Sequence, residues 1–100
     1  ICTSGSALAN YYPAVLEAFY RNIPLIILSA DRPPELIDQW DGQTIHQQEI
    51  FGTHQKGFFE CSDQYQNPFS YYKLVFKAVQ LANSGKKGPV HINIPLRDPL

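Results

Sequence analysis

The chain has 100 residues, 44% of them hydrophobic, 17% charged and 13% aromatic, the composition of one small globular domain and not of a disordered or low-complexity segment. A formal net charge of -1 supplies no electrostatic footprint for nucleic acid or an acidic membrane surface, and no apolar run reaches the length of a membrane span. Cys2 and Cys61, far apart and each beside a predicted strand, read as reduced core residues of a cytosolic protein, and His46, His54 and His91 lack the spacing of metal ligands.

Ile1-Cys2-Thr3 opens the chain as though a strand were already under way, which reads as a piece of a longer protein. Ser4-Gly5-Ser6 is a turn small enough for a backbone or a ligand to come close, and Ser4 or Ser6 can cap a helix. Leu8, Tyr12, Val15, Leu16 and Phe19 predict the apolar face of a helix of roughly four turns, which Pro13 must either start or kink. Asn22-Ile23-Pro24 ends it. Leu25-Ile26-Ile27-Leu28 has no polar interruption and predicts a strand buried on both faces, as in a parallel sheet covered by helices on its two sides. Strand, glycine turn, helix and strand make a crossover of the right-handed kind.

The stretch Ser29-Ala30-Asp31-Arg32-Pro33-Pro34-Glu35-Leu36-Ile37-Asp38 starts where ligands bind in open α/β sheets, beyond the carboxyl ends of the strands. The two prolines fix their own φ and push Arg32 and Pro33 out of the helical region. A guanidinium held this stiffly suits a ligand carboxylate; a local ion pair between Asp31 and Arg32 is the plainer alternative. Residues 39 to 56 are amide-rich and long for a connection, the kind of loop that carries function, with a short helix predicted around Gln47 to Phe51. Gln43, after flexible Gly42, offers a neutral donor and acceptor to a polar substrate, or is simply solvated.

Gly57-Phe58-Phe59-Glu60-Cys61 predicts a third strand, followed by a polar loop. Asn67-Pro68 is a strong helix start, an amide cap with proline at the first position. Phe69, Tyr72, Val75, Phe76, Val79 and Ala82 keep a helical spacing, Lys73, Lys77 and Gln80 share a solvated opposite face, and Gly85 closes the helix. Val90-His91-Ile92-Asn93-Ile94 alternates, predicting a strand with one face buried and the other less so; Pro95 ends it and residues 96 to 100 lead out of the domain. The order β-α-β-loop-β-α-β predicts an α/β fold, a parallel sheet with helices on both faces. Thr3-Ser4-Gly5-Ser6 can cradle a phosphate at a helix start, but with no Gly-Lys-Ser/Thr and no G-x-G-x-x-G a tight turn is the default. No Ser/His/Asp or Cys/His set has convincing spacing.

Thr3-Ser4-Gly5-Ser6-Ala7-Leu8-Ala9-Asn10 followed by Tyr12-Pro13-Ala14 resembles the strand-turn-helix of the pyrimidine-binding domain of thiamine-diphosphate enzymes, with its T-S-G-x-x-x-x-N pattern. The run from Leu28 to Asp38, and the closing Gly88-Pro89-Val90-His91-Ile92-Asn93-Ile94-Pro95, are similar to one family among them, the 2-succinyl-5-enolpyruvyl-6-hydroxy-3-cyclohexene-1-carboxylate synthases of menaquinone biosynthesis. The likeness covers essentially the whole chain. It implies that residues 1 to 100 are the C-terminal part of a pyrimidine-binding domain, incomplete without upstream strands and downstream domains, in a cytoplasmic transferase that is a homodimer or tetramer. It further implies thiamine diphosphate lying between the pyrimidine domain of one subunit and the diphosphate domain of its partner, the latter holding Mg²⁺. In such an enzyme 2-oxoglutarate is decarboxylated on the thiazolium and the resulting carbanion adds to isochorismate, the cofactor carrying the chemistry and the protein supplying orientation and electrostatics.

By position in the family's motifs, Arg32 and Gln43 line the substrate pocket, Arg32 holding a substrate carboxylate and Gln43 hydrogen-bonding substrate or adduct, while Ser6 and Asn10 fall near the pyrimidine edge of the cofactor. Gly42 stands where an asparagine occurs in the family. The resemblance puts the activating glutamate upstream of Ile1, with none of Glu17, Glu35, Glu49 or Glu60 in its place, and the diphosphate and metal motif downstream. The chain by itself is therefore expected to be inactive, with no catalytic residue and no metal ligand of its own. The alternatives are another thiamine-diphosphate carboligase or decarboxylase, of the acetolactate synthase type, and a non-catalytic α/β module in which Arg32 makes a structural ion pair.

Overall fold

The computed structural model describes residues 1 to 61 and 67 to 97; the polar loop read after Cys61 and residues 98 to 100 lie outside them. Strands β1 (Leu25–Asp31), β2 (Gly57–Glu60) and β3 (Pro89–Pro95) form a parallel sheet in the order β1-β3-β2. Cys2 adds a parallel bridge to Ser29 on the far side of β1, its N–H donating to the Leu28 carbonyl and its own carbonyl accepting from Ala30, each at 3.0 Å. The predicted α/β class and parallel sheet are what the chain adopts, with the opening strand represented by that one bridged position.

Alternation along each strand sorts side chains onto two faces. Ile26, Leu28, Phe59, Val90, Ile92 and Ile94 pack with Leu74, Ala78, Leu81 and Ala82 of helix α3 (Pro68–Asn83). Leu25 and Ile27 point the other way, into a cluster with Leu8, Tyr11, Tyr12, Val15, Ile50 and Phe51. Helices thus lie on both faces. The single helix expected over Leu8 to Phe19 is two, α1 (Ser6–Ala9) and α2 (Tyr12–Tyr20), because Pro13 has no N–H to give and is accommodated only in the first turn of α2.

Helix α3 starts as predicted: the Asn67 side chain accepts from the Phe69 N–H at 2.9 Å. It ends before Gly85, which takes φ +55, and the Lys56 ammonium donates to the terminal carbonyls of Leu81 and Ser84, a cation at the negative end of the helix. Its inward face, however, differs from the expected one. Of that face Phe69, Tyr72, Val75, Phe76 and Val79 are exposed and only Ala82 is buried, completely, together with Ala78. The helix carries two apolar stripes, and the one with alanines lets its axis come closest to the sheet. Gly57 serves the same approach, since a Cβ there would lie 2.5 Å from Leu81 Cδ2. Strand β3 also corrects the expectation of one half-covered face, because His91 and Asn93 are fully buried. The short helix predicted around Gln47 to Phe51 is a series of turns leading into a 3₁₀ turn at Gly52–His54. Among the described residues no helix is long and apolar enough to cross a membrane.

Candidate functional site

Toward the carboxyl ends of the strands, the face opposite α3 turns polar. The register sets Ser29, Asn93 and Glu60 in one row across the sheet, Asn93 in the middle, with Asp31 further along β1. An amide offers two donors and an acceptor without ionising, so Asn93 satisfies neighbours on every side. Its Nδ2 donates to Asp31 Oδ2 at 2.7 Å and to Glu60 Oε2 at 3.2 Å, and its Oδ1 accepts from Ser29 Oγ and Gln47 Nε2, both at 2.7 Å. With the Ser29 proton committed to Asn93, the 2.7 Å contact between Ser29 Oγ and His91 Nε2 has the imidazole donating. His91 Nδ1 is buried without a partner, the ring lies against Phe51 and Phe58, and burial pushes its pKa down to about 4. At neutral pH the imidazole is uncharged. Ser29 and His91 are sealed from solvent, so this pair is a structural element and not a nucleophile with its base.

Asp31 does not pair with the side chain next to it. One carboxylate oxygen takes the Asn93 amide and the other accepts the backbone N–H of Arg32 at 2.8 Å. The Arg32 guanidinium makes no hydrogen bond or ion pair among the described residues. Pro33 is extended, at φ -57 and ψ 144, and Pro34 opens a 3₁₀ turn, Pro34–Leu36, so the backbone beside Arg32 is stiff for the reason the prolines predict. Arg32 lines two clefts. One, of about 430 Å³, is shared with Thr3, Ser4, Asp31, Pro33 and Leu96; the other, of about 240 Å³, with Ile37, His46, Gln47, Gln48 and Glu60. The other ionisable side chains there have partners: Glu35, its carboxyl held below the usual range by Arg97, pairs with that arginine, and His46 Nε2 lies 2.8 Å from Asp38 Oδ2. Burial, with the Asp31 charge adding to it against the Asn93 hydrogen bond, holds the Glu60 carboxyl above its usual range.

The remaining predicted residues are placed around the glycine turn. Gln43 is exposed, at φ +57, and its backbone sits directly on Gly5, where a Cβ would lie 2.9 Å from Gln43 Cα. The close approach that the turn permits is made by this backbone. The Gly5 N–H donates to Gln47 Oε1 at 2.8 Å, which occupies the group a phosphate would need. Ser6 and Asn10 are both exposed at the two ends of α1, the Asn10 N–H donating to the Ser6 carbonyl at 3.0 Å. The clefts beside Arg32 are lined by Thr3 and Ser4 from this region and not by Ser6, Asn10 or Gln43. Sequence reasoning passed over Gln47, Asn93, Ser29 and His91. The available signal was the alternation in Val90 to Ile94: polar residues on a strand that is central to its sheet require partners inside the protein.

No family model matches the chain. Along its whole length it is similar to curated proteins named 2-succinyl-5-enolpyruvyl-6-hydroxy-3-cyclohexene-1-carboxylate synthase. It is 59% identical over 102 residues to that of Cytophaga hutchinsonii, 50% over 103 residues to that of Bacillus velezensis and 48% over 100 residues to that of Flavobacterium psychrophilum. These alignments take in 99% of the chain in the first case and 100% in the other two, and the chain spans about 18% of the length of each of these relatives.

Proposed function

We propose, from its similarity along its whole length to 2-succinyl-5-enolpyruvyl-6-hydroxy-3-cyclohexene-1-carboxylate synthases, that this chain is a segment of a member of that family, forms the C-terminal part of a pyrimidine-binding domain and supplies the arginine that grips a substrate carboxylate. The observation that carries this reading is the state of Arg32. Its backbone is pinned by Asp31 and braced by Pro33, yet its guanidinium has no partner among the described residues and lines two clefts. A guanidinium fork matches a carboxylate through two parallel hydrogen bonds, and both 2-oxoglutarate and isochorismate are carboxylates.

In this reading the full-length enzyme is a cytoplasmic transferase of menaquinone biosynthesis, a homodimer or tetramer, that decarboxylates 2-oxoglutarate and transfers the remaining succinyl unit to isochorismate. Gln43, held over Gly5, hydrogen-bonds the substrate. Thiamine diphosphate, when bound, supplies the electron sink for the decarboxylation. The exposed hydroxyl of Ser6 and amide of Asn10 are neutral donors and acceptors of the kind that suit the edge of an aminopyrimidine. The diphosphate and Mg²⁺ do not fit here: the Gly5 N–H is taken by Gln47, and no cluster of three His, Cys, Asp or Glu among the described residues is arranged around a metal. Those parts belong to residues outside this chain, and the chain alone turns over no substrate.

The test is product analysis on the full-length enzyme, offered 2-oxoglutarate with isochorismate in one reaction and pyruvate alone in another. The reading expects the succinyl adduct of isochorismate from the first and no product from the second. Acetolactate from pyruvate, with no adduct from the first pair, would overturn it in favour of an acetolactate synthase type.

A further inference from the structure

Gln47 comes from the same loop as Gln43, four positions further on, but unlike Gln43 it is only 1% exposed. Every polar atom of its side chain is used. Oε1 accepts from the Gly5 N–H at 2.8 Å, and Nε2 donates to the Ala30 carbonyl at 3.1 Å and to Asn93 Oδ1 at 2.7 Å. An acceptor and two donors in one plane on a stem of this length is what a glutamine offers. An apolar side chain would fill the space, take this partner from the Gly5 N–H and the Ala30 carbonyl and leave Asn93 Oδ1 with Ser29 alone, at the cost of desolvation without compensation.

Two lines of contact leave Gln47. One passes through Gly5, the residue on which the Gln43 backbone rests. The other passes through Asn93 to Asp31, whose second carboxylate oxygen holds the Arg32 backbone N–H at 2.8 Å. The loop between is strained: Asp38, Trp40, Gln43 and Glu49 all take positive φ, a conformation that persists only where the surroundings over-determine it. Gln47 is the buried anchor inside that strained run.

We propose that Gln47 is a positioning residue that sets Arg32 and Gln43 in place relative to each other, acting through Asn93 and Asp31 on one side and through Gly5 on the other. The proposal rests on Arg32 being the carboxylate-binding group. Gln47 also lines the smaller cleft with Arg32, but its polar atoms are committed to Gly5, Ala30 and Asn93, so it acts through the groups it holds in place.

The test is a double-mutant cycle in the full-length enzyme, with kcat and KM measured for both carboxylate substrates and Tm measured alongside. Gln47→Met is expected to lower kcat/KM about tenfold or more, and in an Arg32→Ala background the same change should lower it by no more than about threefold, because the two act through one contact chain. Ile92→Val thins the apolar layer on the opposite face of the sheet, out of contact with Gln47, Asp31 and Gly5, and should lower Tm while leaving kcat/KM within about twofold. Should Gln47→Met fail to fold, Gln47→Asn, with the amide on a shorter stem, is judged by the same two criteria. The proposal is overturned if the Gln47 variant lowers Tm with kcat/KM unchanged, or if its loss is equally large with and without Arg32. A kcat/KM unaffected by Arg32→Ala alone would remove the carboxylate reading itself, a result the cycle reports separately from the Gln47 effect.

Discussion

Against α3 the sheet presents Ile26, Leu28, Phe59, Val90, Ile92 and Ile94, closed over by Ala78 and Ala82. Against the glycine turn and the long loop the same three strands present Ser29, Asp31, Glu60, His91 and Asn93, joined through Asn93, and with Gln47, into one hydrogen-bonded set. The first surface is held by burial of apolar area, which has no preferred direction and tolerates small repacking. The second is held by bonds that work only at one distance and angle, and that cost free energy when a single member is unmatched. A directional layer can fix the backbone that carries a guanidinium, as Asp31 does for Arg32, and a greasy one cannot. Placement is therefore assigned to the carboxyl-end half of one face, while apolar burial against α3 and around Leu25 and Ile27 holds the sheet.

The largest effect expected from separating them is on the dry side. Ile92 is 2% exposed at the centre of that layer, and Ile92→Ala should cost this chain about 2–5 kcal/mol in urea unfolding. A cost below about 1 kcal/mol would show that the α3 layer is not what holds the sheet together. On the polar side, the native pKa of His91 near 4 lies below the ordinary value of 6.5. The unfolded chain therefore takes up the proton first, so the stability contributed by the neutral buried ring is complete above pH 6.5 and is lost as pH falls toward 4. His91→Gln should flatten the fall in unfolding free energy between pH 7 and pH 4 by roughly 3 kcal/mol relative to the parent chain. Parallel pH curves for the two proteins would contradict the burial of a neutral imidazole. The smallest effect belongs to the outer stripe of α3: Phe76 is 64% exposed, and Phe76→Ser should change the stability of this chain by no more than about 0.5 kcal/mol. A loss beyond about 1.5 kcal/mol would mean that this stripe, and not the one with Ala78 and Ala82, packs inward.

The elements were legible wherever a local rule dominates. The unbroken Leu25 to Leu28 run, the Asn67-Pro68 start and Pro13 near a helix beginning each have one inexpensive conformation, and the chain adopts it. The face of α3 was not legible, since Phe69, Tyr72, Phe76 and Val79 keep helical spacing as well as Tyr71, Leu74, Ala78 and Leu81 do. Only the closeness of helix to sheet, which favours alanine, chooses between them. Arg32 could be placed from its prolines and the strand before it, because stiffness and strand ends are local properties. The network behind it could not. Ser29 and Asn93 are separated by 64 positions and Gln47 and Asn93 by 46, and their partnership exists only once β3 has entered between β1 and β2.

The most direct measurement is kcat/KM of the full-length enzyme carrying Arg32→Ala, with 2-oxoglutarate and isochorismate as substrates and Tm recorded on the same protein. Loss of a charged hydrogen bond of about 2 kcal/mol predicts a fall on the order of 30-fold in kcat/KM with Tm unchanged. A kcat/KM within about twofold of the parent, or a loss matched by a collapse in Tm, would contradict an arginine placed to grip a substrate carboxylate.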